Sequence, residues 1–251
     1  MNVFNNSHIM MLYRDYLQQM SFRWYRPQRY PKGFVRISMI LKRFGVSFEV
    51  LNTKLPKGEA VMRKRLAELL SIPRLSTFAI GALINEGVSR LEADACFLNI
   101  GVWQGFSFLA GLKDHPQAIC VGVDNFSEFG GPRDAFLRRF AQYKSERHFF
   151  YDMDYQEYFR TIHHDKIGFY FYDGDHQYAH QMQGLQLAEP FLTPNAIILI
   201  DDTNREAPRQ ATLDFVAQSR FRYEILLDQP TCISDHPTFW DGVMVLQRME
   251  K

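Results

Sequence analysis

The chain has 251 residues, of which 46% are hydrophobic and 23% charged, with a formal net charge of +1. That is enough apolar material for one large domain or a domain with an appendage. The near-neutral balance indicates neither a polyanion nor an acidic partner, so nucleic-acid binding has no support. The N-terminus lacks a basic stretch followed by an apolar core, and no apolar run reaches about 18 residues, so neither a secretion signal nor a membrane span is expected. The three cysteines, Cys96, Cys120 and Cys232, form an odd set without metal-type spacing. Cys96 and Cys120 fall within predicted strands, where a thiol acts as a small hydrophobe, which favours a reducing, cytoplasmic setting.

Ile9, Leu12, Tyr16 and Met20 recur at helical spacing over residues 1–20, predicting a short amphipathic helix that packs on its own domain or on a second subunit of a homo-oligomer. Residues 21–33 interleave Arg23, Arg26, Arg29 and Lys32 with Phe22, Trp24, Tyr25 and Tyr30. Such a loop can hold a sugar, phosphate or stacked ring, but its two prolines fit more simply an ordered loop whose aromatics cover the core. Helices are expected over 34–44, 59–70 and 76–91. Residues 1–93 thus read as a helical N-terminal extension, and 94–251 as the domain that carries the chemistry.

From Asp94 strand and helix alternate. Strands are expected at 96–100, 117–123, 148–151, 167–172, 196–200, 223–227 and 242–247. Helices are expected at 108–112, 133–143, 155–162, from Tyr178 to just before Pro190, and at 209–219. This βα order predicts a doubly wound α/β sheet with helices on both faces. The stretch Ile167–Asn204 is its centre: an apolar run ending at Asp173-Gly174-Asp175-His176, a helix with Met182, Leu185 and Ala188 on one face, and a second run ending at Asp201-Asp202. Runs without polar alternation suit strands buried on both faces of a parallel sheet. If the two strands are neighbours, their ends lie about 5 Å apart. Asp173, Asp201 and Asp202 then meet at the edge where open α/β sheets bind ligands, and three converging carboxylates call for a cation between them.

Gly101 and Gly105 stand between a strand and a helix, where the backbone can approach a ligand and the helix N-terminus can face an anion such as a methionine carboxylate. The spacing is not the G-x-G-x-x-G of dinucleotide folds, which disfavours a nicotinamide-dependent oxidoreductase. Ser107, in the first turn, either donates to the same carboxylate or caps. Asp124, at the end of the second strand, suits the two hydroxyls of a ribose, or else caps a helix. Of Asp152 and Asp154 after the third strand, one suits an adenine amino group, Asp154 being the better placed because it stands nearest the helix from Tyr155, which it otherwise caps.

The segments Phe97–Ser107 (FLNIGVWQGFS), Gly122–Asp124, Phe171–His176 (FYDGDH) and Ile198–Asp202 (ILIDD) resemble class I S-adenosylmethionine-dependent methyltransferases. The likeness is greatest to small-molecule O-methyltransferases of the macrocin or sugar type and the catechol type, and covers about residues 94–248. It implies a Rossmann-like, mostly parallel seven-stranded sheet with an antiparallel last strand. It further implies that the Gly101–Gly105 turn and Ser107 seat the methionine part, Asp124 the ribose and the Asp154 region the adenine. Asn99 stands where the family usually has an acid beside the methionine ammonium. In the metal-dependent members the positions of Asp173, Asp201 and Asp202 hold Mg2+, and Asp173 also belongs with the cofactor-facing residues.

A proton acceptor completes the expected site. His176 is the first choice, three residues past Asp173 on the turn into a helix, with Asp175 as competitor; capping is the ordinary alternative for both. His163, His164 and His180 read as solvent-facing. Loops 203–209 and 229–241, the latter with His236, Phe239 and Trp240, should frame a small hydroxylated substrate. The resulting expectation is a metal-assisted O-methyltransferase of natural-product or catechol-like acceptors. The alternative is a non-catalytic member of the fold that binds a nucleoside or a protein.

Overall fold

The structure, a computed structural model, describes residues 13–31, 33, 37, 40, 47–56 and 59–250. Its centre is a seven-stranded sheet: β1 (Ala95–Ile100), β2 (Ile119–Asp124), β3 (His148–Asp152), β4 (Lys166–Tyr172), β5 (Leu192–Asp201), β6 (Tyr223–Gln229) and β7 (Val243–Arg248). The spatial order is β3-β2-β1-β4-β5-β7-β6. The first five strands pair in parallel, and β7 lies antiparallel between β5 and β6, as expected. The continuous apolar runs have their physical cause in this arrangement, since both faces are covered: every residue of β1 is buried, as are the last six of β5.

Helices α2 (Phe106–Leu112) and α3 (Arg133–Tyr143) cover one face, together with α1 (Phe78–Val88). Helices α4 (Tyr155–Thr161), α5 (Tyr178–Ala188) and α6 (Glu206–Gln218) cover the other. The core on the first face runs without interruption from Phe97, Phe169 and Val245 of the sheet through Phe78 and Leu83 to Tyr13, Tyr16 and Leu17 of the N-terminal segment. Helix α1 is buried on nearly all its residues, as befits a helix apolar all round that lies between two layers.

Residues 13–19 are helical, and the buried face is Tyr13, Tyr16 and Leu17; the expected start of that helix, with Ile9 and Leu12, lies outside the described residues. So does most of the helix expected over 34–44. The helix expected over 59–70 stops at Leu66 and continues as a tighter 3₁₀ turn, Ala67–Ser71. The Arg-aromatic loop takes its simpler form. Asn52, fully buried, accepts from the N–H groups of Trp24 and Tyr25 at 2.8 Å, and Arg23 donates to the carbonyls of Leu51 and Thr53. Cys232 N–H donates to Pro27 O at 2.8 Å, which seats the loop after β6 on this segment.

Candidate active site

Strand register aligns the expected residues along one edge. Ile100 pairs with Val123 on one side and Tyr172 on the other, Tyr172 pairs with Ile200, and Asp124 pairs with Asp152. The residues just past these positions, Gly101, Asp173 and Asp201, are therefore neighbours in space. A cleft of about 300 Å³ opens along this edge, with Gly101, Asp124, Asp154, Asp173 and Asp201 in its wall.

Gly101 has φ +79°, and a Cβ there would lie 2.0 Å from the carbonyl oxygen of Asp173. Only glycine lets the turn come this close to β4. Gly105, at φ +100°, caps α2. Asp124 organises the loops around this turn: Oδ2 accepts from Val102 and Trp103 N–H at 2.8 Å each, and Oδ1 accepts from Phe126 N–H at 2.7 Å. Asp154 caps α4 by accepting from Gln156 and Glu157 N–H while still lining the cleft. Ser107 is buried and also reaches the wall. Asn99 sits behind it, fully buried, with Nδ2 donating to the carbonyls of Ile100 and Gly101 and Oδ1 without a partner.

Deeper in the cleft the acids meet. One donor atom each of Asp173, His176 and Asp201 lies within 4.8 Å of the others. His176 Nε2 is 3.8 Å from Asp173 Oδ1 and 3.5 Å from Asp202 Oδ2. Asp202, at φ +51°, turns its carboxylate toward His176 and to within 3.4 Å of Arg205 Nη1. Burial, reinforced by the charge of Asp202, pushes the Asp173 carboxyl well above its usual range; burial and the charges of Asp173 and Asp202 do the same to Asp201. Asp202 is raised by burial, with His176 and Arg205 opposing, and His176 is lowered by burial with Asp202 opposing. Such a cluster is relieved either by a shared proton or by a cation. Asp201 Oδ1 is buried without any hydrogen-bond partner. An orphan carboxylate oxygen of this kind is costly, and an oxygen-rich set around it fits a hard dication.

Asp175 accepts from Gln177 N–H through Oδ1, while Oδ2 lies 3.7 Å from His180 Nε2. His164 is exposed and His180 is partly exposed in the cleft wall. His163 corrects the solvent-facing expectation: it is buried, bonded to Tyr158 Oη at 3.0 Å and packed edge-on against Phe191. Three wall residues carried no local signal: Arg74, Leu75 and Tyr155. Arg205 and Trp240, both in the loops expected to frame the substrate, line the same cleft.

The sheet order, the glycine turn and the acid at each strand end define the class I methyltransferase fold. Residues 98–203 match the family described as "Methyltransferase domain". No curated protein sequence matches the chain. Solved structures similar to it include cofactor-bound Rv0187 from MTB, at 14% identity and a TM-score of 0.58, covering 89% of this chain and 100% of that one. An O-methyltransferase from Bacillus cereus in complex with SAH shares 14% identity at a TM-score of 0.53, covering 87% and 99%. The O-methyltransferase TomG from Streptomyces achromogenes, involved in tomaymycin synthesis and solved with SAM, shares 14% identity at a TM-score of 0.52, covering 86% and 96%. The chain thus shares its fold with these proteins, and its segment 98–203 is similar to the methyltransferase domain family.

Proposed function

We propose that this protein is an S-adenosylmethionine-dependent O-methyltransferase acting on a hydroxyl of a small molecule, with a dication assisting. The observation that carries the reading is the meeting of Asp173, His176 and Asp201 at the deep end of the cleft that begins at Gly101. In this reading the Gly101 turn and Ser107 take the methionine part, the Asp124 side the ribose, and the Asp154–Tyr155 end the adenine. Asp173, Asp201 and Asp202 would hold Mg2+, which lowers the pKa of an acceptor hydroxyl and orients it.

The protein's own residues supply the rest. His176 Nε2, 3.8 Å from Asp173 Oδ1 and 3.5 Å from Asp202 Oδ2, stands where an acceptor hydroxyl beside the acids would lie and is the nitrogen placed to take its proton, while Nδ1 is buried. The two carboxylates steady the imidazolium that results. The acceptor oxygen forms its bond to the sulfonium methyl as the carbon–sulfur bond breaks, leaving a neutral thioether. Alignment of the two reactants is worth roughly 7–11 kcal/mol. The convergence of three donor atoms also supports a second reading, in which His176 is itself a ligand and Asp175 takes the proton.

Natural-product acceptors are the substrate class we favour. The buried thiols of Cys96 and Cys120, neither in a disulfide, fit a cytoplasmic setting. Among the described residues no helix is long and apolar enough to cross a membrane. We assign the segment around Arg74 and Leu75 to support of the cleft, since both stand in its wall. Calorimetric titration with S-adenosylhomocysteine, followed by labelled methyl donor against a panel of hydroxylated acceptors with and without Mg2+, tests the proposal. Absence of binding at millimolar S-adenosylhomocysteine overturns it.

A further inference from the structure

The acceptor end of the cleft is shaped by a loop under unusual constraint. Trp240 has φ +51°, a conformation that is an outlier for a bulky side chain and persists only where the surroundings impose it. Here they do. Trp240 and His236 exchange two backbone hydrogen bonds of 3.0 Å, and Thr231 Oγ1 donates to Trp240 O at 3.0 Å. Thr77 Oγ1 donates to Thr238 O at 2.5 Å, anchoring the loop to the start of α1. Beyond the β5–β7 pair Asp201–Val243, Asn204 N–H donates to Asp241 O at 2.8 Å. Thr203 N–H also donates to Gly242 O at 3.5 Å, so the turn after the acids is tied to the turn that follows Trp240. The Trp240 side chain stays partly exposed and lines the cleft with Asp201, Asp202 and Arg205.

Two arginines line the cleft, and they differ. Arg74 is committed: it pairs with Glu49, and its guanidinium lies 5.1 Å from the centre of the Phe106 ring. Arg205 meets Asp202 through one nitrogen at 3.4 Å and its side chain is 53% exposed, leaving guanidinium donors for another anion.

We infer that Trp240 is the platform on which the acceptor lies, and that the acceptor is a ring with adjacent hydroxyls and a carboxylate that Arg205 reads. This rests on the methyl-transfer reading above. An indole held rigidly in place offers a large flat face at little entropic cost, and it accepts an aromatic ring or the apolar face of a sugar equally. The adjacent hydroxyls face the acids at the end of β5, and the carboxylate points outward toward Arg205.

The test uses the full chain saturated with S-adenosylhomocysteine and Mg2+, with acceptor binding followed by calorimetry. The probes are 3,4-dihydroxybenzoate, glucuronate, catechol and glycerol. The inference expects a ring acid to bind at least on the order of tenfold more tightly than glycerol, with the better of the two acids telling an aromatic acceptor from a sugar one. Trp240→Ala should remove that advantage while S-adenosylhomocysteine binds as before. Arg205→Gln should make 3,4-dihydroxybenzoate and catechol equivalent. Should the alanine variant fail to fold, Trp240→Gly, which tolerates the positive φ, takes its place. If the protein binds S-adenosylhomocysteine but no ring acid, or binds ring acids as well without the indole, this inference falls and the methyltransferase reading stands. A chain that binds no S-adenosylhomocysteine overturns both.

Discussion

His176 Nε2 lies 3.5 Å from Asp202 Oδ2, so the second carboxylate of the acid pair faces an imidazole in the wall of the cleft. Acting as base, His176 leaves metal affinity to the acids; acting as ligand, it does not. His176→Gln removes the titrating nitrogen while keeping a polar side chain. On the base reading turnover falls about 10²–10⁴-fold, while Mn2+ affinity, read by electron paramagnetic resonance, and S-adenosylhomocysteine affinity are unchanged. A drop in Mn2+ affinity on the order of tenfold or more transfers His176 to the metal and the proton to Asp175.

Asp201→Asn separates the two halves of the cleft. Asp201 is 3% exposed, with an oxygen that finds no partner in the protein, and it stands on the acceptor side of Asp173. The amide should lower kcat by about 10²-fold, roughly 2.7 kcal/mol of barrier, with S-adenosylhomocysteine affinity intact. Parallel loss of turnover and nucleoside affinity would place Asp201 in the cofactor site instead. Turnover that is indifferent to EDTA would leave the fold and donor standing and remove the metal.

The central unit was legible because each of its signals was local. β4 and β5 are apolar on both faces, and their acids stop the runs at the sheet edge. The helix from Arg133 to Tyr143 also stands as expected. Boundaries moved where a polar residue belongs to a strand or a cap: β5 begins at Leu192, since Thr193 and Asn195 mask its start, and α6 begins at Glu206 behind Arg205. What could not be read was long-range. Arg74 reaches the cleft only because α1 packs against the sheet, and nothing around Pro73 announces it. His163 follows a helix end like a surface residue, yet the rings of Tyr158, Phe159 and Phe191 enclose it. The left-handed backbone of Asp202, which swings its carboxylate toward His176, has no marker in a D-D pair.

Asp124 joins two loops as well as facing the cleft, and its removal should show in both stability and binding. Asp124→Ala leaves the N–H groups of Val102, Trp103 and Phe126 without their acceptor. At about 1 kcal/mol for each bond not remade to water, the expected loss is about 2–3 kcal/mol in urea denaturation. S-adenosylhomocysteine affinity should fall by at least on the order of tenfold, as the Gly101 turn loses its shape. Asp124→Asn, which keeps one acceptor oxygen, should fall between the two proteins on both measures. If the alanine variant loses stability while its affinity is unchanged, Asp124 is a scaffold residue and the ribose is held elsewhere.

Stability should also fall on mild acidification, through His163. Burial drives its pKa down to about 4, against about 6.5 in an unfolded chain. As pH falls, the unfolded state takes the proton first. The contribution is therefore complete above about pH 6.5 and is lost as pH drops toward 4, to a limit of roughly 3 kcal/mol. The raised carboxyls of Asp173 and Asp201 act with the opposite sign, gaining stability as they protonate, so the wild-type curve alone mixes the two. A variant isolates the histidine. His163→Phe combined with Tyr158→Phe removes the titrating ring without stranding the tyrosine hydroxyl, which bonds Nδ1 at 3.0 Å. Urea denaturation at pH 7.5 and pH 5 should show the wild type losing about 1–2 kcal/mol more than the double variant. Equal losses in the two proteins would mean that His163 charges freely in the folded state, against its enclosure by three aromatic rings.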